Sequence, residues 1–148
     1  MKKWHKGFII VVTWLVTASC GDISTCKVSL LVAGGGASGT AAGIQAARMG
    51  CATLIIEETP WLGGMLTAAG VSAADGNYNL PGGIWGEFKD SLTQYYGGPK
   101  ALKTGWVSGV LFEPSVGNTF FQKMAAAEEN LDVWFETRLL AIEKRQGT

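Results

Sequence analysis

A run of glycines near the front of the sequence has the spacing of a phosphate-binding loop. Gly34-Gly35-Gly36-Ala37-Ser38-Gly39 matches G-x-G-x-x-G, directly after an apolar run and before a stretch of helical composition. In such a loop Gly34 allows a tight turn, Gly36 lets a pyrophosphate approach the backbone, and Gly39 lets a helix lie close to a sheet. The alternative is a small-residue helix packed on a sheet with no ligand.

The residues that follow the loop favour the ligand-binding interpretation. The N–H groups of Ala37 and Ser38 lie just before the predicted helix and would face the phosphates. Glu57 ends a second apolar run, 23 residues after Gly34, where a carboxylate can accept hydrogen bonds from an adenosine ribose. Gly63-Gly64 comes six and seven residues after Glu57. Glu58 is interpreted as a solvated neighbour of Glu57 and not as a second ligand.

These residues need a strand–helix–strand unit to position them. The apolar run 28–33 predicts a strand covered on both faces, residues 40–49 predict a helix closed by Gly50, and 51–56 predict a second buried strand. Together they span about thirty residues, the length of a βαβ unit with a right-handed crossover. The sequence therefore predicts an α/β, Rossmann-like fold with a parallel sheet.

The remaining elements are predicted from apolar spacing and turn residues. They are a loop with some short helix at 59–74, a helix over 84–95 stopped by Gly97-Gly98-Pro99, a helix over 119–129, and strands at 131–135 and 139–142. The apolar side of the helix at 119–129 would consist of Phe120, Met124 and Ala127. Glu113-Pro114 is interpreted as the start of a helix and not as a catalytic site.

The N-terminus has the pattern of a secretory signal. Three lysines precede a short apolar core at residues 7–16, which is too short to span a bilayer, and small residues lead to Cys20. We predict a lipoprotein-type signal peptide at 1–19, lipidation of Cys20 and a linker at 20–27. The alternative is an ordinary signal cut near Ser19. The protein is therefore predicted to be exported, to the periplasm or outer surface, with a lipid anchor as its one membrane attachment.

Composition excludes several classes of function. The chain has 148 residues and a formal net charge of zero, which offers no basic field for nucleic acid. Removal of residues 1–19 leaves nine basic and twelve acidic residues, a net charge of −3, and takes away His5, the one histidine. With no imidazole and no C-x-x-C spacing, we predict neither a metal site nor a dithiol redox motif.

The motifs together resemble a known family. Gly34, Gly36, Gly39, Glu57 and Gly63-Gly64 are similar to the N-terminal signature of FAD-dependent oxidoreductases with two dinucleotide-binding domains. The segments GGMLTAAGVSAADGNYNLPGGIWGEF, GWVSGVLFEPSVGN and DVWFETRLLAIE resemble a large bacterial family of exported FAD-dependent oxidoreductases, some labelled xanthan lyase. The resemblance implies FAD as cofactor, backbone contacts of the glycine pair near the FAD phosphates, and a backbone contact of Leu139 with the adenine.

The resemblance also sets the expected domain organisation and function. Members of that family are several times longer, so residues 28–148 are expected to be the N-terminal portion of an FAD-binding domain, with 59–118 as an insert. The expected function is the FAD-binding portion of an exported oxidoreductase with an unknown small-molecule substrate and electron acceptor. The alternatives are a truncated, non-catalytic fragment that binds nucleotide weakly or not at all, and an NAD-binding Rossmann domain. The glycine pair and the long insert argue against NAD.

No catalytic residue is predicted. Asp75, Asn77, Tyr78 and Glu87 lie in a glycine-rich region that could face a flavin or a substrate. The alternative for each is a role in a turn or on a solvated face.

Overall fold

A computed structural model describes residues 25–105 and 109–144 of the chain. The predicted signal peptide at 1–19 and the predicted lipidation site, Cys20, lie outside the described residues. Within the described ranges, no helix is long and apolar enough to cross a membrane.

The front of the described chain forms the predicted strand–helix–strand unit. Strand β1 spans Leu30–Ala33, helix α1 spans Ala37–Arg48 and strand β2 spans Thr53–Ile56. The two strands pair in parallel, with Leu30 opposite Thr53 and Ala33 opposite Ile56. Gly50 follows α1 in the left-handed region at φ +83° and donates its N–H to the Ala47 carbonyl, which confirms the predicted helix end.

The rest of the chain adds one strand to this sheet and two helices beside it. Strand β3 (Ala73–Ala74) and strand β4 (Val110–Leu111) form a small antiparallel pair, and helix α2 (Gly83–Tyr95) lies between them in the chain. Helix α3 spans Pro114–Ala126 and leads into strand β5, Leu131–Trp134. Strand β5 pairs in parallel with β2, so the main sheet has the order β1-β2-β5. The fold is therefore an incomplete Rossmann-like α/β fold, as predicted.

The core lies between the sheet and the helices, with Phe88 of α2 near its centre. The Phe88 ring stacks on Phe121 at a centroid distance of 4.1 Å and meets the edge of Phe112 at 5.4 Å. The buried members of the core come from the three helices, strands β2 and β4 and the connecting loops: Ile44, Ile55, Leu62, Phe88, Leu92, Leu102, Val110, Phe112, Phe121 and Ala125. This core fixes α1, and therefore the loop before it, against β2.

Strand β1 differs from its prediction. Leu30, Leu31 and Ala33 are exposed, whereas every residue of β2 is buried. The cause is position, because β1 lies at an edge of the sheet and β2 lies in the middle. Val32 is the residue of β1 that packs against the core, and Leu30, on the same face by strand alternation, stays exposed.

Two further predictions are wrong. Residues 139–142 form no strand, and Leu140 and Ile142 are 89% and 79% exposed, because no neighbouring strand in the described chain pairs with them. The helix predicted over 119–129 starts at Pro114 and not at residue 119, which confirms the interpretation of Glu113-Pro114 as a helix start. The buried side of α3 consists of Gly117, Phe121 and Ala125. Phe120 and Met124 are only partly buried, and Ala127 is exposed.

An ion-pair cluster joins the three helical segments at the surface. The Arg48 guanidinium donates two hydrogen bonds to Glu87, at 2.7 and 2.8 Å, and a third to Glu128 at 2.7 Å. Hydrogen bonding to Arg48 lowers the pKa of the Glu87 carboxyl group, and the two carboxylates raise the pKa of Arg48. Glu87 is thus part of the contact between α1 and α2.

Candidate functional site

The glycine loop turns the chain from β1 into α1. Gly34 has φ +101°, a conformation that residues with a Cβ rarely adopt. Gly36 is extended, at φ −60° and ψ 177°, and is the N-cap of α1. Ala37 and Ser38 follow as exposed residues of the first helical turn, which contains no acidic side chain. The loop therefore presents backbone N–H groups and the positive end of the helix dipole to solvent.

The space around the glycines divides them into two groups. A Cβ added at Gly34 or Gly36 would meet no heavy atom within 4 Å, so the backbone there borders open space. A Cβ at Gly39 would overlap the Gly34 carbonyl oxygen and lie 3.3 Å from the Val32 side chain. Gly39 therefore lets the helix pack against the loop, and Gly34 and Gly36 leave room for a ligand.

A buried threonine holds the loop in this shape. Thr40 is completely buried, and its Oγ1 donates a hydrogen bond of 2.8 Å to the Gly35 carbonyl oxygen. Its N–H donates to the Gly36 carbonyl oxygen, also at 2.8 Å. Both carbonyl oxygens are thus bonded within the protein. The N–H groups of Gly34 and Gly35 are also bonded, to Ile56 and Glu57, so the donors left for a ligand come from the start of α1. The sequence analysis did not identify Thr40, because nothing in its spacing distinguishes it from an ordinary helix residue.

The second glycine segment lies directly against the first. Gly63 donates its N–H to the Gly35 carbonyl oxygen at 2.8 Å, and Gly36 and Gly63 form a parallel bridge. A Cβ at Gly64 would lie 2.8 Å from the Gly36 Cα. The structure therefore brings together the two glycine segments that the motif linked by spacing alone. They form one continuous backbone surface, which we call the glycine cradle (Gly34, Gly36, Gly63 and Gly64).

Two polar side chains, one buried and one partly buried, fix the second segment. Thr67, which is 1% exposed, donates to the Leu62 carbonyl oxygen at 2.5 Å. The Asn118 Oδ1 atom on α3 accepts a hydrogen bond of 2.9 Å from the Leu62 N–H. Sequence reasoning missed both residues, because the Asn118 bond joins positions 56 residues apart and the Thr67 bond depends on a loop conformation that no apolar period specifies.

Glu57 lies at the end of β2, where its carboxylate bonds to two loops. Its Oε2 accepts a hydrogen bond of 2.6 Å from the Gly35 N–H, and its Oε1 accepts one of 2.8 Å from the Thr59 N–H. Partial burial acts to raise the pKa of the Glu57 carboxyl group, but the hydrogen bonds from Thr59 and Gly35 outweigh it, and the pKa lies below its ordinary value. The group is therefore an oriented carboxylate whose oxygens retain further acceptor capacity.

A cleft of about 440 Å³ opens beside this carboxylate. We call it the Glu57 cleft, and its lining comes from the ends of β1 and β2 and from the chain after β5: Ala33, Gly34, Ile56, Glu57, Glu58, Thr59, Thr137 and Leu139. The Thr137 N–H donates to the Glu57 carbonyl oxygen at 3.0 Å, which holds the segment with Leu139 beside β2. Leu139, although not in a strand, therefore lies in the same cleft as Gly34 and Glu57.

Glu58 has a partner in the structure. Its Oε2 accepts a hydrogen bond of 3.0 Å from the Arg138 guanidinium, and both side chains are exposed. Hydrogen bonding to Glu58 raises the pKa of Arg138. In the described ranges, no group of three or more His, Cys, Asp or Glu side chains is placed to hold a metal ion.

Comparison with known proteins gives a family match and a likeness to solved structures. The sequence profile of a family described as FAD dependent oxidoreductase matches residues 29–148. Among solved structures, the HOCl-induced flavoprotein disulfide reductase RclA from Escherichia coli is similar over 72% of this chain, at 16% identity and a TM-score of 0.37. The matched region covers 21% of that reductase, so the chain spans about a fifth of its length. No protein with curated annotation matches the sequence.

Proposed function

The chain belongs to the FAD dependent oxidoreductase family, and from this premise we propose that the glycine cradle and the Glu57 cleft hold the pyrophosphate and adenosine of FAD. The observation that carries the proposal is the contact between the two glycine segments, with open space beside Gly36. When bound, FAD supplies the redox chemistry, accepting a hydride or electrons from a substrate. The protein's own residues supply binding and orientation.

The residues of the cradle fit a pyrophosphate. A Cβ at Gly34 or Gly36 would meet only open space, so the absence of side chains there leaves room for a ligand and not for the protein. The first N–H groups of α1, including those of Ala37 and Ser38, lie at the positive end of the helix dipole, which favours a phosphate anion. Thr40 keeps the neighbouring carbonyl oxygens away from that side. Phosphate oxygens would thus meet donors and few acceptors.

The Glu57 cleft fits the adenosine. Glu57 is oriented by Gly35 and Thr59, and its remaining lone pairs can accept hydrogen bonds from the two ribose hydroxyl groups. Its negative charge would repel a 2′-phosphate. Leu139 contributes an apolar wall at the other side of the cleft, where an adenine ring would lie.

We also propose that the chain is the N-terminal portion of a longer oxidoreductase. The support is the open edge of β1, where Leu30, Leu31 and Ala33 are exposed, together with exposed Trp134 at the end of β5. Apolar strands with an unpaired edge are a structural liability in water, and further parallel strands would cover them. The same incomplete sheet favours a second candidate, a fragment that binds nucleotide weakly or not at all.

Export through the predicted signal peptide at 1–19, with a lipid at Cys20, is the proposed localisation. It is supported by the lysines, the apolar core and the cysteine that follows it. Radiolabelled palmitate incorporation into the full chain in a bacterial host, lost in Cys20→Ser, would test it. Incorporation that persists in Cys20→Ser would contradict lipidation at this residue.

The cradle is tested by titrating the full chain with FAD and following the flavin absorption band. We expect saturable binding by the wild type and none by Gly36→Val, since the valine side chain would enter the space of the pyrophosphate. Gly82→Val is the matched control. Gly82 has an extended backbone, at φ −129°, and open space beside it, and it caps α2 away from the cradle.

The outcomes separate the candidates. Equal FAD affinity of Gly36→Val and the wild type would contradict the assignment of the cradle. No binding by the wild type, with a cooperative unfolding transition, would identify the chain as the non-binding fragment.

A further inference from the structure

A second depression, outside the cradle and the Glu57 cleft, lies beside the small β3–β4 sheet. Its volume is about 510 Å³, in the range of small-molecule sites. We call it the Met65 pocket, and the lining residues that matter here are Met65, Val71, Asp75, Tyr78, Leu80 and Trp85. We propose that it binds the organic substrate of the oxidoreductase, and that this substrate has an apolar ring and is uncharged or cationic.

Exposed apolar side chains gather in this pocket. Met65, Val71 and Leu80 are 67%, 52% and 56% exposed, although they come from three separate parts of the loop region. Large apolar side chains that converge on one open surface indicate a binding site, because soluble proteins rarely expose contiguous apolar patches without a function. With Trp85 and Tyr78 beside them, they offer two aromatic rings and three aliphatic side chains to a ligand.

The pocket walls are held by specific hydrogen bonds, so the pocket is preformed. The Lys89 ammonium donates to the carbonyl oxygens of Tyr78 and Leu80, at 3.3 and 3.1 Å, and the Trp85 indole N–H donates to the same Tyr78 oxygen at 3.3 Å. On the opposite wall, the Val71 N–H donates to the Met65 carbonyl oxygen at 3.0 Å. A ligand would thus meet an ordered wall on each side.

The charge of the lining selects among apolar ligands. Asp75 is the one acidic residue that lines the pocket, and no Lys, Arg or His lines it in the described chain. The nearby Lys89 ammonium is bonded to the two carbonyl oxygens on the wall. The lining therefore carries one negative charge, that of Asp75, while the Lys89 ammonium is held at the wall carbonyls and does not line the pocket. Asp75 would repel an anionic ligand placed beside it and attract an ammonium group.

The position of the pocket connects it to the cradle. Met65 follows Gly64 directly in the chain, and Gly64 contacts Gly36. The Glu57 cleft contains Gly34, at the start of the same loop. The backbone therefore connects the Glu57 cleft to the glycine cradle, and the cradle to the Met65 pocket. The inference rests on the proposed function in one respect, namely that the bound molecule is the substrate of a flavoprotein.

Three probes that share a naphthalene ring system but differ in charge test the charge preference by calorimetric titration of the full chain. They are 2-naphthylmethanol, 2-naphthylmethylammonium and 2-naphthoate. We expect the alcohol and the ammonium to bind and the carboxylate to bind about tenfold or more weakly than the ammonium. In Asp75→Asn this ratio should fall towards one. Equal binding of naphthoate and the ammonium to the wild type would overturn the proposal.

A pair of double variants tests the location. Met65→Gln with Leu80→Gln should weaken the binding of naphthylmethanol about tenfold or more, since both lost side chains line the pocket. Leu140→Gln with Ile142→Gln also removes two exposed apolar side chains, but from the tail after β5, and should leave binding unchanged. All four positions are exposed, so folding is preserved. Wild-type affinity in the first variant would overturn the assignment.

A last experiment tests whether the pocket binds the substrate or the flavin ring of FAD, which is also flat and apolar. Naphthylmethanol affinity should be unchanged in excess FAD, and its displacement by FAD would assign the pocket to the cofactor and overturn the proposal. FAD binding is read separately from the absorption band. Binding of the probes without binding of FAD would therefore contradict the proposed function and leave the pocket as an apolar ligand site.

Discussion

Gly36 and Gly63 face each other across a backbone bridge, yet an added Cβ would meet very different surroundings at the two positions. At Gly36 it would enter open space. At Gly63 it would lie 2.7 Å from the Phe121 ring and 2.8 Å from Thr67, and the backbone there has φ +101°. One glycine leaves room for a ligand, and the other leaves room for the protein. The same residue in the same motif thus serves binding at one position and folding at the other.

The largest effect that could break this comparison is expected for Gly63→Ala. The added methyl group would collide with the buried Phe121 ring, and the left-handed backbone would be strained. We expect the free energy of unfolding to fall by about 3 kcal/mol. Denaturant unfolding measures this, with Gly82→Ala as the matched control. A loss below about 1 kcal/mol would place Gly63 with Gly36 instead.

Glu57→Gln sharpens the binding side of the comparison. The amide keeps the shape of the side chain but loses the charge that strengthens hydrogen bonds to the ribose and to Gly35. We expect FAD affinity to fall by about 1.5–3 kcal/mol, roughly 10- to 150-fold. Glu129→Gln, at an exposed position before β5 and outside the lining of the cleft, is the control and should bind FAD as the wild type does.

The same variant has a pH signature. Because the pKa of the folded Glu57 carboxyl group lies below its ordinary value of about 4.5, its contribution to stability is present above that pH. It is lost as the pH falls through the folded pKa. The difference in unfolding free energy between wild type and Glu57→Gln should therefore shrink below about pH 4.5. A difference that grows on acidification would contradict the hydrogen-bonding role.

Gly43→Ala extends the comparison to a third glycine. Alanine is the better helix former by about 1 kcal/mol, so propensity alone predicts stabilisation. A Cβ at this position would, however, lie 2.5 and 2.7 Å from side-chain atoms of Ile55, which is completely buried. We expect a net loss of about 1–2 kcal/mol in unfolding free energy. Gln45→Ala, exposed on the same helix, is the control, and a stabilised Gly43→Ala would refute the tight packing of α1 on β2.

The smallest effect is expected for Arg48→Gln. This variant tests whether ion pairs or close packing hold α1 in position. The ion pairs of Arg48 with Glu87 and Glu128 are partly exposed, and such pairs contribute about 0.5–1 kcal/mol. Thermal or denaturant unfolding should show this loss at low salt and a smaller one in 1 M salt. Arg138→Gln, at a more exposed pair, should give no measurable change. A loss for Arg48→Gln as large as that of Gly63→Ala would mean that charge, not packing, places the helix.

Local patterns predicted the parts of the fold that local chemistry decides. The β1–α1–β2 unit and the end of α1 at Gly50 follow from apolar runs and a left-handed glycine, and the structure has them within a few residues. The apolar spacing placed the start of α3 five residues too late, although Glu113-Pro114 marks the observed start and Gly117 within the helix is a poor helix former. Its missing side chain instead makes room for Phe112, since a Cβ there would lie 2.6 Å from that ring. Tertiary packing overrode propensity at that point.

The candidate site divides in the same way. Spacing in the sequence was enough to select Gly34, Gly36, Glu57 and the glycine pair. The structure brings these residues together with Leu139. Spacing could not select the residues that hold them in place, which are Thr40, Thr59, Thr67 and Asn118. Asn118 accepts its hydrogen bond from Leu62, 56 residues before it in the chain. The hydrogen bonds of the three threonines are local, but they depend on loop conformations that no period in the sequence records.

The chain separation within the sheet has a kinetic consequence. Thr53 pairs with Leu30 only 23 residues before it, but with Leu131 78 residues after it. By loop-closure entropy the longer connection costs about 1 kcal/mol more to bring together, before any of its contacts form. The glycine loop, α1 and Glu57 can therefore assemble as a local event. The wall of the Glu57 cleft that carries Thr137 and Leu139 joins only when β5 docks. We therefore expect amide exchange at Thr137 to report that docking, and exchange at Thr40 to report the earlier event.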